Sequence, residues 1–309
     1  MKDIEFRVKS KDANGDVFPS EVLLGQSWEV KKPEGVVIIV TGMLEHAKRY
    51  DGFATFLNSK NFNVYCIDHY GQGRNNVGKE IKGMWPEHGF FKAIENIHQI
   101  KNEFEIEGKP CVIFGHSMGS FMTQGFLETY GDEKFKAVIC GSNFGSNSYM
   151  QFGKGVAKMV TNKKNWNKPS PFLNNLTTGG FNKGIKNSKT DFDWLSYNEE
   201  NVRKYIADED CGFVATTGFY MGLIEGMASI WNPKNLAKIN KENSIFIIAG
   251  EEDPVGSCGK GPSNLFKTYK EKLGIKNVEL KLYKHARHEI LNEDLKEEVY
   301  NDIFEFIKK

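Results

Sequence analysis

A serine flanked by glycines, in the sequence GHSMG at residues 115–119, is the feature that most constrains what this chain can fold into. It lies between an apolar run at residues 111–114 and a stretch with helical character at residues 120–130. A strand that turns sharply into a helix drives its apex residue toward strained, positive φ, and glycines two residues away on either side remove the Cβ atoms that would otherwise clash. The pattern favours Ser117 as an exposed nucleophile over a plain glycine- and serine-rich turn that closes a strand.

Around this turn, apolar strands and helices alternate along the chain. A hairpin comes first, with strands at residues 4–8 and 17–25 and a turn at residues 11–15, where Asn-Gly supplies the positive φ of a tight turn. Continuous apolar strands separated by helices are typical of a mostly parallel sheet that is covered on both faces, so we predict an α/β fold. Further strands are predicted at residues 36–41, 63–68, 111–114, 136–140, 244–249 and 278–283.

The alternation is interrupted at residues 145–231, which contain no strand-like run. A chain of 309 residues is long enough for one elaborated α/β domain or for two ordinary domains. We predict one domain with an insertion, in which residues 1–144 and 232–309 form an α/β core and residues 145–231 form a mainly helical cap.

Charge and hydropathy exclude several classes of function. Lysine plus arginine total 41 and aspartate plus glutamate total 40, so no net field attracts nucleic acid. No apolar run approaches the ~18–20 residues that span a bilayer, and the first residues lack the basic and then apolar pattern of a signal peptide. We expect a soluble, cytoplasmic protein that does not bind nucleic acid.

The five cysteines are scattered without metal-ligand spacing. Cys66, Cys111 and Cys140 lie in apolar, strand-like runs, and we interpret the cysteines as small buried hydrophobic residues in a reducing compartment. No metal and no organic cofactor is expected, because acyl transfer through an activated serine needs only side chains and water.

The predicted cap is divided by charge. Residues 145–190 carry eight lysines and no acidic residue, whereas acidic residues dominate residues 191–210. The two halves can neutralise each other within the cap. Alternatively, the lysines form a basic surface for peripheral contact with phosphate head groups or an anionic membrane. The sequence leaves both interpretations open, as it does the oligomeric state.

A serine hydroxyl is too weakly acidic to attack an acyl carbon unaided, so Ser117 requires a general base and a carboxylate that orients the base. The strand at residues 244–249 is followed by Gly-Glu-Glu-Asp-Pro, at the strand end where ligand sites form in open α/β sheets. Asp253 is the predicted carboxylate, because the following proline restricts it to an extended conformation. Glu251 and Glu252 are the alternatives.

The general base is sought in the loop after the strand at residues 278–283, which holds two histidines. We predict His288, and His285 in the same loop is the alternative that the residues alone leave open. A serine, an aspartate and a histidine that each follow a strand, in this chain order, are typical of a hydrolytic triad. His116, inside the GHSMG turn, is expected to pack beside the turn or orient it rather than take part in the chemistry.

Acyl transfer places negative charge on an oxygen that needs preorganised donors, each worth ~3–4 kcal/mol of the barrier. The Met118 amide follows the nucleophile at a helix N-terminus, where the helix dipole also favours an anion. The second predicted donor is the Met43 amide, in the loop after the strand at residues 36–41. A plain strand-to-helix connection is the alternative for that loop.

Five segments together resemble the monoacylglycerol lipase and lysophospholipase-like branch of the α/β-hydrolases, also called serine aminopeptidase S33. The resemblance covers nearly the whole chain except the predicted cap, and it implies carboxylic-ester hydrolysis. This family usually has His-Gly where the present chain has Thr41 and Gly42, a change that leaves the backbone donor intact. The segments are residues 41–50, 68–73, 115–119, 250–254 and 286–290.

The resemblance also implies a role for each site residue. Ser117, Asp253 and His288 correspond to the catalytic triad, so His288 is favoured over the other histidine of its loop. Met43 and Met118 correspond to the backbone donors of the oxyanion hole.

Specificity for the acyl chain is expected to reside in the cap. Residues 216–231 place Phe219, Leu223 and Met227 near one face of a helix, and we predict that these side chains line a slot for substrate. The alternative is that this apolar stripe packs the cap onto the core.

The leading hypothesis is a serine esterase that cleaves a small-molecule fatty-acyl monoester, such as monoacylglycerol or lysophospholipid, through an acyl-enzyme that water resolves. An S33-type aminopeptidase is the alternative, since the acidic half of the cap could hold a substrate amino group. Related prolyl aminopeptidases usually have tryptophan where this chain has Met118, which argues against that alternative. A third hypothesis is a catalytically silent binding protein with a hydrolase fold.

Overall fold

The computed structural model describes residues 1–11, 17–76 and 80–309, so the Asn-Gly turn predicted within residues 11–15 lies outside the described residues. The strands are β1 (Lys2–Lys11), β2 (Val17–Trp28), β3 (Gly35–Val40), β4 (Phe62–Ile67), β5 (Cys111–His116), β6 (Lys136–Cys140), β7 (Ser244–Gly250) and β8 (Asn277–Tyr283).

These strands form an eight-stranded sheet in the order β1-β2-β4-β3-β5-β6-β7-β8. β1 and β2 are antiparallel to each other, β2 is antiparallel to β4, and every pair from β4 to β8 is parallel. β2 extends beyond its predicted end because Gly25–Trp28 pair with β4. The predicted α/β fold with a mostly parallel sheet is confirmed.

The central strands read as continuous apolar runs because both faces of the sheet are buried. In β3, Val36, Ile38 and Val40 pack into one hydrophobic core, while Val37 and Ile39 pack into a second core on the opposite face. Successive side chains of a strand point to opposite faces, and each fully buried Val or Ile contributes about 1.5–3 kcal/mol.

The helices cover both faces of the sheet. α1 and α10 contribute to the core that contains Val37, whereas α2, α3 and α9 contribute to the core that contains Val36. Within the described ranges, no helix has both the length and the apolar composition needed to cross a bilayer. The helices are α1 (Asp51–Ser59), α2 (Gly89–Phe104), α3 (Met118–Thr129), α4 (Asn147–Val160), α5 (Pro171–Thr178), α6 (Glu199–Ala207), α7 (Thr217–Ile230), α8 (Pro233–Leu236), α9 (Lys260–Lys267) and α10 (Lys296–Lys308).

Between β6 and β7 the chain forms α4 to α8, and α7 packs against α2 and α3 of the core. Local sequence explains where these helices begin, because a serine, threonine or asparagine side chain accepts a backbone N–H bond in the first turn of each. The division of the chain into a core and a cap at residues 145–231 stays a prediction. The capping residues are Ser146, Ser170, Asn198, Thr216 and Asn232.

Candidate active site

Ser117 lies at the sharp turn between β5 and α3, with φ 53° and ψ −119°. The glycines on either side leave no room for a side chain. A Cβ on Gly115 would lie 2.2 Å from Thr123 Oγ1, and a Cβ on Gly119 would lie 2.1 Å from the carbonyl oxygen of Val40. The strained turn expected from the sequence is therefore present, and it depends on both glycines.

Backbone hydrogen bonds hold this turn at the carboxyl edge of the sheet. The Ser117 amide donates to the Cys140 carbonyl at the end of β6, at 3.0 Å. The Ser120 amide and hydroxyl both donate to the Ser117 carbonyl, at 2.8 Å and 2.5 Å. The backbone of Ser117 is thus tied to the end of β6 and to the first turn of α3.

The carboxyl ends of β7 and β8 supply a buried histidine and carboxylate pair. His288 Nδ1 lies 3.0 Å from Asp253 Oδ2, and both side chains are buried. Asp253 Oδ1 accepts the Val255 amide at 2.8 Å, and the Asp253 carbonyl accepts the Cys258 amide at 2.8 Å. These bonds orient the carboxylate, and the carboxylate in turn orients the imidazole so that its Nε2 is free to act as a base.

The alternative triad members point elsewhere. His285 has φ 51° and a side chain that is 92% exposed, and its Nδ1 lies 4.0 Å from Glu252. Glu252 is half-exposed and accepts the hydroxyl of Tyr197. Glu251 follows β7 directly, where its amide donates to the Tyr283 carbonyl. The geometry therefore favours Asp253 over both glutamates.

The loop of His288 lies against the turn of Ser117. The ring centroids of His116 and His288 are 4.9 Å apart, and His116 Nε2 lies 3.4 Å from the His288 carbonyl oxygen. A Cβ on Gly141 would lie 3.1 Å from His288 Cε1. Among the described residues, the Ser117 hydroxyl makes no hydrogen bond with the His288 ring. Such bonds in hydrolases often tighten only when substrate binds.

Two backbone amides beside Ser117 are available to an anion. In the part of the chain that the structure describes, neither the Met43 nor the Met118 amide has a hydrogen-bond partner. Met118 begins α3, where the helix dipole favours negative charge. The Met43 loop approaches Ser117 closely, since a Cβ on Gly42 would lie 3.3 Å from Ser117 Cβ.

The loop after β3 is braced by two side chains for which sequence reasoning had assigned no role. Glu45 Oε1 accepts the Gly42 amide at 2.5 Å, and Gln72 accepts the Leu44 amide at 2.5 Å while donating to the Gly42 carbonyl at 3.2 Å. Thr41 is buried, and its hydroxyl has no partner among the described residues. Glu45 and Gln72 thus hold the loop in which Thr41 replaces the usual histidine.

Glu45 belongs to a buried network that joins this loop to the loop of His288. Arg49 donates to Glu45 Oε2 at 2.7 Å and to both oxygens of Glu289 at 2.7 and 2.8 Å. Burial alone would raise the pKa of both glutamates, but the His116 hydrogen bond and the Arg49 charge for Glu45, and the Arg49 charge for Glu289, bring each pKa below its ordinary value. The network holds Glu289 directly beside the predicted base, His288.

The same buried network also contacts His116, inside the GHSMG turn. The Tyr50 hydroxyl donates to Glu45 Oε1 at 2.6 Å, and its oxygen lies 3.1 Å from His116 Nδ1. Burial would lower the pKa of His116, but the Glu45 carboxylate raises it above its ordinary value. His116 is therefore held between Glu45 and the His288 carbonyl, consistent with the predicted role in orienting the turn.

The apolar stripe of the predicted substrate slot lies on α7. Phe219 is buried with its ring 4.5 Å from that of Trp85, Leu223 is buried in the same core, and Met227 is partly buried against it. Gly226 of the same helix packs on Phe90 of α2, where an added Cβ would lie 2.2 Å from the ring. These contacts give the stripe a packing role, and contact with an acyl chain stays a prediction.

Comparison with known proteins identifies the family of this chain. The family model described as "Serine aminopeptidase, S33" matches residues 31–295. The chain belongs to this family. The serine aminopeptidase S33 assignment confirms the resemblance seen in the five sequence segments, and it agrees with the α/β-hydrolase fold of the eight-stranded sheet.

Individual relatives of this S33 chain agree with that assignment. A monoacylglycerol lipase of Mycolicibacterium smegmatis (strain ATCC 700084 / mc(2)155) is 23% identical over 286 residues, which cover 89% of this chain and 88% of that protein. A highly thermostable carboxyl esterase from Bacillus coagulans, solved with glycerol, has a TM-score of 0.85 at 25% identity and 98% coverage of both chains. The monoacylglycerol lipase of Paleococcus ferrophilus shares the fold, with a TM-score of 0.68 at 24% identity over 92% of this chain and 98% of that one.

Proposed function

We propose that this protein is a serine esterase that hydrolyses a fatty-acyl monoester, such as monoacylglycerol or lysophospholipid. The observation that carries the proposal is the buried His288–Asp253 pair, 3.0 Å apart, packed against the strained turn that bears Ser117. The names of the relatives, which include a monoacylglycerol lipase and a carboxyl esterase, support the ester class.

In the proposed mechanism, the His288 Nδ1–H donates a hydrogen bond to Asp253, which stays ionised, and Nε2 receives the Ser117 proton. Ser117 Oγ forms a bond to the acyl carbon, and the C–O bond to the leaving alcohol breaks as His288 returns the proton to that alcohol. Water then attacks the acyl-enzyme by the same path, and the fatty acid leaves while Ser117 regains its proton.

Negative charge on the tetrahedral oxygen is stabilised by the amides of Met43 and Met118 in this mechanism. Both amides are without protein partners among the described residues, so they need not break a bond to receive the oxyanion. Donors that are held in place before reaction stabilise the transition state by about 3–4 kcal/mol each.

The surface of α4 and α5 supports a lipid substrate and peripheral membrane contact. On α4, Tyr149, Phe152 and Met159 are 72%, 71% and 80% exposed, and on α5, Phe172 and Leu176 are more than half exposed. Exposed aromatic and aliphatic side chains on two successive helices are typical of surfaces that enter the head-group region of a membrane.

In that proposal, the lysines in and around these helices attract an anionic membrane. Of the eight lysines in residues 145–190, Lys154 and Lys189 form ion pairs among the described residues, and the other six do not. Lys189 contacts Glu199, and this pair is the one ion pair in the described structure between the basic and acidic halves of the predicted cap. The basic and acidic halves of the predicted cap therefore neutralise each other only to a minor extent. Each free lysine near an anionic bilayer contributes about 1 kcal/mol of attraction.

The acidic residues of the cap favour ester over peptide substrates. An aminopeptidase needs carboxylates that are free to bind the amino group of its substrate. Several of the acidic side chains between residues 191 and 210 already face a lysine, arginine or histidine of this chain. The pairs are Glu199 with Lys189, Glu200 with Arg203, Asp208 with His46, and Asp210 with Lys82.

The test compares p-nitrophenyl esters of increasing acyl length with aminoacyl p-nitroanilides. We expect turnover of the esters, highest for the longer chains that bury more apolar surface, and loss of that turnover in Ser117→Ala. Preferential cleavage of the nitroanilides would establish the aminopeptidase instead. Binding of the esters without turnover would establish a silent hydrolase-fold protein.

A further inference from the structure

Three metal-ligating side chains meet outside the catalytic site, where the chain after α6 contacts the loop after β3. One ligand atom each from His46, Asp208 and Cys211 lies within 4.8 Å of the other two. His46 is three residues beyond Met43, whereas Asp208 follows α6 and lies 162 residues further along the chain. The simplest interpretation is an ion pair, since His46 Nε2 lies 2.8 Å from Asp208 Oδ2.

The thiol of Cys211 makes this cluster more than an ion pair. The Cys211 amide donates to the Asp208 carbonyl at 3.0 Å, so the two residues occupy one turn with their side chains on the same side. The Asp210 amide donates to Asp208 Oδ1 at 2.9 Å, which leaves Oδ2 directed at His46. A pair of ligands with two residues between them, joined by a distant histidine, has one of the spacings that structural zinc sites use.

The surrounding charges permit a cation at this position. Arg49 is the nearby guanidinium that would repel one, but its charge is offset by Glu45 and Glu289, each at 2.7 Å. The side chains of His46 and Asp208 are 13% and 35% exposed, so an ion has access from solvent. Cys211 is buried, which shields its sulfur from bulk water.

We propose that His46 Nε2, Asp208 Oδ2 and Cys211 Sγ bind one Zn²⁺ ion, with water in the fourth position. Imidazole, carboxylate and thiolate together suit zinc, whereas Mg²⁺ and Ca²⁺ prefer oxygen ligands alone. On binding, the Cys211 S–H bond breaks, a Zn–S bond forms and the proton leaves to solvent. Neutral His46 coordinates through Nε2 with its proton on Nδ1, and no electron is transferred.

The ion would tie the turn after α6 to the loop that carries the Met43 amide. One backbone bond already joins these segments, from the Gly212 amide to the Leu44 carbonyl at 3.0 Å. Zinc would add three bonds beside it and stabilise the docked arrangement. The site is independent of the proposed ester hydrolysis, which needs no metal.

The test is calorimetric titration of the tag-free, chelator-treated full chain with ZnCl₂, with MgCl₂ as the contrasting ion. We expect one zinc per chain with a Kd below about 10 µM, no magnesium binding, and a rise in Tm with zinc. Cobalt(II) should give the thiolate-to-metal charge-transfer absorption of a sulfur ligand. Cys211→Ser and Asp208→Asn should each weaken zinc binding at least about tenfold.

Matched controls come from a second histidine and cysteine outside the cluster. His285 is 4.0 Å from Glu252, and Cys258 is exposed, so His285→Gln and Cys258→Ser should leave zinc affinity unchanged. A Kd above about 10 µM would overturn the proposal, as would zinc affinity that Asp208→Asn does not change. Because Asp208 is partly exposed, that variant decides the question even where Cys211→Ser fails to fold.

Discussion

Replacement of Arg49 by methionine tests the buried network that links the loop after β3 to the loop of His288. In the native chain the Arg49 guanidinium, 11% exposed, contacts Glu45 and Glu289, whose side chains are buried. Arg49→Met keeps most of the side-chain volume but leaves two buried carboxylates without their cation. Removing one partner of a buried ion pair costs about 3–5 kcal/mol, so we expect a Tm decrease of about 5–8 °C for a chain of this size.

The stability lost in Arg49→Met should depend on pH, because it depends on the ionisation of Glu45 and Glu289. Arg49 lowers the pKa of Glu45 and of Glu289 in the folded state, so their contribution to stability is present above the pKa of the unfolded chain and is lost as pH falls. Without Arg49, the main cause that lowers the pKa of Glu289 against burial is gone, and a proton can neutralise this carboxylate in mild acid. The stability deficit of Arg49→Met should therefore be largest at pH 8 and smaller near pH 5.

The assay is urea unfolding of wild type and variant at both pH values, with ester turnover measured in parallel. Arg203→Met is the matched control, because Arg203 forms an exposed pair with Glu200 that contributes at most about 0.5 kcal/mol. The double variant Arg49→Met, Glu289→Met should lose less stability than Arg49→Met alone. A deficit below about 1 kcal/mol at pH 8, or one that does not change with pH, would refute the reasoning.

Further predictions concern the triad, the turn and the exposed surface. Asp253→Asn should lower kcat for esters about 10⁴-fold, and a decrease below tenfold in steady-state assays would remove Asp253 from the triad. Gly119→Ala should destabilise the chain by at least about 1–3 kcal/mol in thermal unfolding, because its Cβ would lie 2.1 Å from the Val40 carbonyl oxygen. An unchanged Tm would contradict the tight turn. Phe152→Ser should reduce cosedimentation with phosphatidylserine vesicles while Ser263→Ala, on α9, should not; equal binding would place membrane contact elsewhere.

The central strands of the sheet are predictable from the sequence because each one is a continuous apolar run that is buried on both faces. β6 was predicted at its observed bounds, Lys136–Cys140, and β3 differed by one residue at each end. The turn at Ser117 was predictable because glycine is required on both sides of it. Local patterns of this kind depend on neighbours within a few residues.

Contacts between distant segments were not predictable in the same way. Arg49 and Glu289 are 240 residues apart, and His46 and Asp208 are 162 residues apart, so no spacing in the sequence reveals that they meet. Glu45 and Gln72 lie inside two of the segments that resembled the family, and that was the one signal of their bracing role. The interior position of Phe219 follows from how α7 packs on α2 and α3, which periodicity alone does not determine.

The most direct test of the proposed mechanism is peptide mass spectrometry after treatment of the native chain with a fluorophosphonate. The account predicts one covalent phosphonyl adduct, on Ser117, whose rate of formation falls steeply in His288→Ala because the general base is then absent. An adduct on a different residue, or undiminished labelling of Ser117 in His288→Ala, would contradict it.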